Sequence, residues 1–408
     1  MSLLLSAAAA QLGDAALTES GLIKHIHPLF SKILARDSRE IYLANHSLGR
    51  PLDALAADVA EGLAAWYEDV DSAWGPWWGE MQAWRANTAG LLSAAQPGMG
   101  RTDCIIPKTS AGQGLRAVLN SYELVPTVLA TDAEFDSIDH ILKQYAAKGR
   151  ANVRWVASRD DGLIHVEDMI AGLAEVDLLV VSHIFFATGQ ILEGLPTLIA
   201  AAHAAGTRVL LDVYHSYGVL PLDLIALGVD YAIAGSYKYL RGGPGVCWLY
   251  IAPHLLDHRH TTLDTGWFAK RDPFAYQRPV PPQFADGGDA WLESTFNPLG
   301  FYQARSGLAL IAALGVDRLR AYSLRQKQLL AENLADQGVA SFGASVHYGA
   351  FITLPHAEPK RLAEQLKQMG INGDARAAGL RLCPDLLNTD AQLCRAAAAI
   401  AQAMRAPA

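Results

Sequence analysis

Between residues 177 and 251 the chain repeats one pattern. Short apolar runs, DLLVVSH (177–183), TRVLLDV (207–213), DYAIAGS (230–236) and GVCWLYI (245–251), are punctuated by GLPTLIAAAHAAG (194–206) and LDLIALG (222–228). The last two have helical spacing and glycine stops. A strand with one wet face alternates apolar and polar residues. Runs that are apolar throughout are covered on both faces, and their alternation with helices predicts a parallel sheet. Upstream, CIIP (104–107), LVPTVLA (124–130) and NVRWVAS (152–158) read as further strands, with GLRAVLNSY (114–122) as a helix. The expectation is an α/β fold: a large doubly wound, mainly parallel sheet.

From about residue 302 the texture changes to long helical stretches. SVHYGAFITL and GLRLCP then read as strands and the alanine-rich C-terminus as a helix. This predicts a smaller α+β domain over 301–408, a large domain over 51–300, and an N-terminal segment, 1–50, that joins the small domain. The Pro/Gly-rich PVPPQFADGGD (279–289) is long enough to predict a functional loop.

With 51% hydrophobic and 18% charged residues, the composition is that of a globular protein with material for a large core. The net charge of −8 and the lack of a basic run exclude a nucleic-acid footprint. The apolar start MSLLLSAAAAQLG has no basic residues and falls short of a membrane span, so it reads as an amphipathic arm or helix. Cys104, Cys247, Cys383 and Cys394 form no CxxC pair and read as thiols in a reducing compartment. A cytoplasmic location is expected, with neither nucleic acid nor membrane as partner. The pairs His25/His27 and His258/His260 lack a third ligand, so no metal is expected.

In such a sheet ligands bind beyond the C-terminal strand ends. Asp212, His183, Lys238 and the pair Thr109–Ser110 all fall there. Each also has an ordinary reading: Thr-Ser before a helix is a cap, a strand-end Asp a turn residue, a loop lysine a solvated one. Together they fit pyridoxal 5'-phosphate. That cofactor needs a lysine to hold its aldehyde as a Schiff base and a carboxylate to keep its pyridine nitrogen protonated. It also needs a helix N-terminus for its phosphate and an aromatic face for its ring. Lys238, Asp212, Thr109–Ser110 and Phe135 are the candidates.

LDVYHSYGVLPLDL (211–224) followed by GSYKYLRGGPG (235–245) resembles kynureninase and, more widely, the class V aminotransferase-fold enzymes of fold type I. That family carries D-x-A-H-S-x-G, then S-Y-K-Y-L-x-G-G-P-G. YLANHSLGRP (42–51), TGWF (265–268) and GDARAAGLRLCP (373–384) resemble further family segments in the same order, over nearly the whole chain. The resemblance implies that Lys238 binds the cofactor and moves protons at the substrate α-carbon. Asp212 would pair with the pyridine nitrogen, supported by His215. Tyr237, Thr109 and Ser110 would hold the phosphate, and Phe135 would lie on the ring. Arg381 would clamp the substrate carboxylate, with Asn45 and Ser47 on the substrate side. By pattern alone Arg381 is equally an exposed strand residue, and Trp267 a packing residue. Trp267 and Thr295 lie on segments that reach the cofactor region in the family, often from a neighbouring subunit, which implies a homodimer with shared sites.

The chain also departs from the family. After His183 it reads IFFATGQ where the family has Asn-Tyr-Arg/Lys-Thr-Gly, so Phe185 and Ala187 replace polar residues. The family's G-W-F-G-H becomes GWFAK, with Lys270 at the histidine position, and STFNP precedes the next helix. The implied activity is therefore an amino-acid-directed one, hydrolytic Cβ–Cγ cleavage as in kynureninase or transamination. A desulfurase would need a loop cysteine, and Cys383 follows the arginine strand instead. A non-catalytic member of the fold is the remaining reading, although no binding module is appended.

Overall fold

The computed structural model describes residues 3–35, 40–93, 101–256, 260–377 and 379–405. Twelve strands lie among them: β1 (Ile41–Tyr42), β2 (Ile105–Lys108), β3 (Thr127–Thr131), β4 (Asn152–Val156), β5 (Leu178–Ser182), β6 (Arg208–Asp212), β7 (Tyr231–Gly235), β8 (Cys247–Ile251), β9 (Ile352–Leu354), β10 (Ile371–Asn372), β11 (Asp374–Arg376) and β12 (Gly379–Leu382).

The large sheet has seven strands in the order β2-β8-β7-β6-β5-β3-β4. Pairing is parallel from β7 through β4, while β8 runs antiparallel to both β7 and β2. The reversal at β8 follows from the short connection after β7. Residues 236–246 contain no helix, so the chain returns on the same side of the sheet. Strands β5, β7 and β8 are buried at every position, as their unbroken apolar runs require. Each large side chain buried there, such as Trp248, contributes about 1.5–3 kcal/mol. Helices Leu55–Glu68, Trp74–Leu92 and Pro298–Leu314 pack beside the sheet. Arg305 ties the three together by pairing with Glu61 and Glu80, each at 2.6 Å.

A second, antiparallel sheet has the order β11-β12-β9, covered by helices Val316–Asp336, Pro359–Gln368 and Asp390–Arg405 around their own core. Strand β1 pairs in parallel with β10, and Ala44 bridges to Cys383. The N-terminal helix Leu3–Leu12 buries Leu5 and Ala8 in a further cluster.

SVHYGAFITL departs from its expected form. Only Ile352–Leu354 is a strand; residues 343–349 are a loop. Its His347 carbonyl accepts from Ile191 N–H at 3.0 Å, and other carbonyls find cationic partners. Lys327 Nζ donates to the oxygens of Gly343 (2.7 Å) and Gly349 (2.6 Å), and Arg320 to Tyr348 (2.7 Å). Buried cations thus satisfy a backbone that would otherwise need a ladder. Among the described residues no single helix is long and apolar enough to cross a membrane.

Candidate active site

Lys238 lies just after β7, in a loop pressed against two other segments. Gly49 N–H donates to the Tyr237 carbonyl (2.9 Å), and a Cβ on Gly49 would lie 2.0 Å from the Lys238 oxygen. That close approach explains the glycine in NHSLG. Gly243 and Gly245 follow with φ of +68° and +85°, which glycine adopts without strain. Arg241 pairs with Asp385 at 2.6 Å, and Arg50 also pairs with Asp385. The lysine loop, the N-terminal segment and the segment after β12 are thus pinned at one carboxylate.

The lysine side chain is buried beside a cavity of about 390 Å³ at the C-terminal ends of β2, β5, β6 and β7. Thr109, Ser110, Phe135, Asp212, His215, Tyr237 and Lys238 all line it. Lys238 Nζ is 2.7 Å from His215 Nε2, and His215 Nδ1 is 3.1 Å from the Tyr239 hydroxyl. Burial pushes the Lys238 amino group well down, against the pull of the Asp212 carboxylate. Burial pushes Asp212 up, opposed by the Tyr214 N–H at 2.8 Å and the charge of Lys238. His215 is held neutral by burial and by the neighbouring lysine. A lysine depressed in this way supplies the free amine that attacks an aldehyde.

At the far end, Ser110 caps the helix Ala111–Leu119, its hydroxyl accepting from Gln113 N–H at 3.1 Å. Thr109 offers both its N–H (2.7 Å) and its hydroxyl (3.1 Å) to Gln113 Oε1. Glu293 anchors the Gln113 amide (2.9 Å) and pairs with buried Lys108 (2.6 Å). Thr109, Ser110, Ala111 and Gly112 at this helix start line the cavity, and a helix N-terminus suits an anion such as a phosphate.

Arg381, Asn45 and Ser47, expected on the substrate side, do not line this cavity. Arg381 on β12 is buried; Nη1 donates to the Phe186 carbonyl and Nη2 pairs with Asp374, its cross-strand neighbour. Ser47 Oγ donates to the same Asp374 oxygen at 2.8 Å. Asn45 faces away and donates to the Cys383 carbonyl (3.0 Å). Trp267 and Thr295 hydrogen-bond each other at 3.2 Å and do not line the Lys238 cavity. Trp267 packs among Trp74, Phe268 and Phe274. Lys270 donates to the Gln277 carbonyl within its own loop.

His183 does not join the strand-end cluster. It lines a separate hollow with Leu192, Pro196 and Pro221, and burial lowers its pKa to about 4. Ser182 faces the Lys238 cavity in its place, because neighbouring strand residues point to opposite faces. Strand alternation could have separated the two. Likewise Phe186, not Phe185, lines the cavity and meets Phe135 edge-on at 5.3 Å; Phe185 is buried in the core. Sequence reasoning also misses Tyr214. Its ring centroid lies 4.8 Å from Lys238 Nζ, on a cavity wall, and it stands where the quoted pattern D-x-A-H has alanine. That mismatch is the signal that could have found it.

His27 and His260 are engaged by the Leu386 carbonyl and the Tyr231 hydroxyl, while His258 lies outside the described residues. Among the described residues no group of three or more His, Cys, Asp or Glu could hold a metal. Cys383 is buried against the Ala350 carbonyl, which together with desolvation suits a packed thiol rather than a mobile nucleophile; burial raises its pKa to about 12.

A lysine and a carboxylate at parallel-strand ends, beside a capped helix, thus share one cavity on an α/β scaffold. Residues 80–400 match the class V aminotransferase family, and the chain belongs to that family. It is similar to a kynureninase of Bacillus cereus, 27% identical over 84% of this chain and 83% of the relative. The kynureninase of Deinococcus radiodurans is 27% identical over 85% and 84%. That of Geobacillus thermodenitrificans is 32% identical over 57% and 56%. Among solved structures, a cystine C-S lyase superposes with a TM-score of 0.78 at 20% identity, covering 91% of this chain and 99% of that one. An Escherichia coli cysteine desulfurase gives 0.78 at 17% identity, covering 96% and 99%. These likenesses show the fold. The protein is a pyridoxal-phosphate-dependent enzyme of fold type I.

Proposed function

We propose that this enzyme cleaves the Cβ–Cγ bond of an amino acid bearing a γ-carbonyl, with water, giving alanine and an aryl acid, as kynureninases do. The observation that carries this reading is the cavity, where the buried Lys238 amine stands 2.7 Å from a neutral His215 and beside the Asp212 carboxylate. The extended match to kynureninases supports it.

When bound, the cofactor supplies an electron sink for carbanion chemistry. Lys238 would hold its aldehyde, and its amine would take and return the proton at the substrate α-carbon. Asp212 would keep the ring nitrogen protonated. His215 orients Lys238 and accepts its hydrogen bond. Thr109, Ser110 and Tyr237 would bind the phosphate. Phe135 and Tyr214 would offer aromatic faces to the ring, Tyr214 where the family pattern has alanine. Arg381 takes the α-carboxylate. Trp267 and Thr295 act on the site of a second copy in a homodimer, as the family resemblance implies. The free thiols among the described residues are compatible with a cytoplasmic enzyme.

Transamination uses the same first steps and is the second reading. The IFFATGQ stretch, which departs from the kynureninase pattern and puts Phe186 on the cavity wall, favours it by changing that wall. Incubation of the holoenzyme with kynurenine, 3-hydroxykynurenine and a panel of amino and keto acids separates the two. Alanine with an anthranilate is the expected result. A new amino acid paired with a keto acid would replace hydrolysis with transamination.

A further inference from the structure

Every donor edge of Arg381 already includes an engaged group. Nη2 pairs with Asp374 and Nη1 donates to the Phe186 carbonyl. A bidentate grip on a carboxylate uses either both Nη groups or Nε with Nη2, and each choice meets one of these contacts. Nε is buried without a hydrogen-bond partner. The clamp expected to receive a substrate carboxylate therefore holds one from its own chain.

Asp374 is unusually well supplied with partners. It stands directly opposite Arg381 in the β11–β12 register. Its Oδ2 also accepts from Ser47 at 2.8 Å, lies 3.3 Å from His46 Nε2 and is 3.4 Å from Arg376 Nη2. Burial alone would raise its pKa, yet the His46 hydrogen bond and the Arg381 charge hold it well below the ordinary range. Asp374 is thus an anion at working pH, with three neighbours besides Arg381. If its carboxylate turns from Arg381, Ser47 and the half-exposed Arg376 still satisfy it. Arg381 is not held as loosely: it stacks over Phe351, 5.2 Å from the ring centroid, and Phe351 in turn packs edge-on against His215.

We propose that Asp374 is an internal stand-in for the substrate carboxylate, a latch on Arg381 that the incoming α-carboxylate displaces toward Ser47 and Arg376. This rests on the reading of Arg381 as the carboxylate clamp. The latch keeps the guanidinium satisfied and positioned while the site is empty. It also sets a threshold that a ligand without an α-carboxylate cannot cross by charge. Asp374 acts through Arg381 and is a positioning residue.

The test is equilibrium binding to the holoenzyme, read from the absorbance of the bound pyridoxal group, with L-alanine and L-alaninamide as probes. In Asp374→Asn the Kd for L-alanine falls about five- to tenfold, the scale of one charge-assisted contact. The Kd for L-alaninamide, which has no carboxylate, moves by less than about twofold. Asp374→Ser reads the same way if the Asn variant does not fold. Arg381→Lys is the control on the clamp and abolishes the preference for alanine over its amide. If that preference persists in Arg381→Lys, or wild type responds to neither probe, the clamp reading fails and the latch with it. If the preference collapses but Asp374→Asn binds alanine equally or more weakly, the latch alone is overturned and Asp374 is a fixed orienting partner.

Discussion

The proposed cofactor side and substrate side around Lys238 are built on different principles. The cofactor side comes from strand ends and one helix start of a single sheet, and its hydrogen bonds are local: Thr109 and Ser110 engage Gln113, Asp212 accepts from Tyr214 N–H, and Lys238 meets His215. Asp212, Tyr237 and the Ser110 helix start all line open space. The proposed substrate side is gathered from residues 45–47, 184–190 and 374–381, of which Ile184 and Phe186 line the cavity, and its polar groups pair with one another or with backbone: Arg381 with Asp374 and the Phe186 carbonyl, Ser47 with Asp374, Asn45 with the Cys383 carbonyl. A rigid sheet can hold polar groups apart for a constant ligand. Segments brought together from distant parts of the chain satisfy one another's polar groups.

The largest expected effect tests the cofactor side. Lys238→Ala removes the amine, so the visible absorbance of the bound aldehyde changes to that of the free form and turnover falls at least about a thousandfold. Retention of the wild-type band would mean that another amine holds the cofactor, and the comparison of sides would lose its centre.

The intermediate effect falls where this chain differs from its relatives. Tyr214→Ala restores the small residue of the family pattern. On the proposed reading it removes one aromatic face, worth about 0.5–1.5 kcal/mol. Cofactor Kd, followed by dialysis and reconstitution, should rise about three- to tenfold, with the absorbance maximum shifted. Tighter cofactor binding would instead place Tyr214 among obstacles on the substrate side, blurring the two sides.

This division also explains how much can be read from sequence. The large sheet is legible because burial on both faces leaves unbroken apolar runs, as in β5, β6 and β7. The cofactor residues are legible because strand ends and a helix cap fix them locally. What fails are statements about which way a side chain faces. His183 and Ser182, and Phe185 and Phe186, exchange places, since one residue of register turns a side chain to the other face. SVHYGAFITL reads as strand from its residue pattern, but residues 345–349 form a loop whose Tyr348 and Gly349 carbonyls are satisfied by Arg320 and Lys327, from a separate helix that no local pattern ties to it. The Asp374–Arg381 pair needs the β11–β12 register, which no local pattern specifies.

The smallest effect sharpens the view of the cofactor side as a place where charge is rationed. Behind Ser182 sits Glu134, buried, accepting from Ser182 Oγ at 2.6 Å and Thr131 Oγ1 at 2.7 Å. Burial raises its pKa from 4.5 to about 7, with the nearby Asp212 carboxylate adding to the rise against the two hydroxyls. Between those values the folded protein holds a proton that the unfolded chain has released. The resulting stability is full below about 4.5 and is lost as pH rises through about 7. A glutamine has the same shape and never ionises; its carbonyl accepts one hydroxyl and its amide donates to the other. Denaturant melts of Glu134→Gln apoenzyme should match wild type near pH 5 and exceed it by about 1–3 kcal/mol at pH 8. An equal difference at both pH values would mean that Glu134 keeps one charge state throughout. The negative charge near the ring nitrogen would then be shared between two carboxylates rather than concentrated on Asp212.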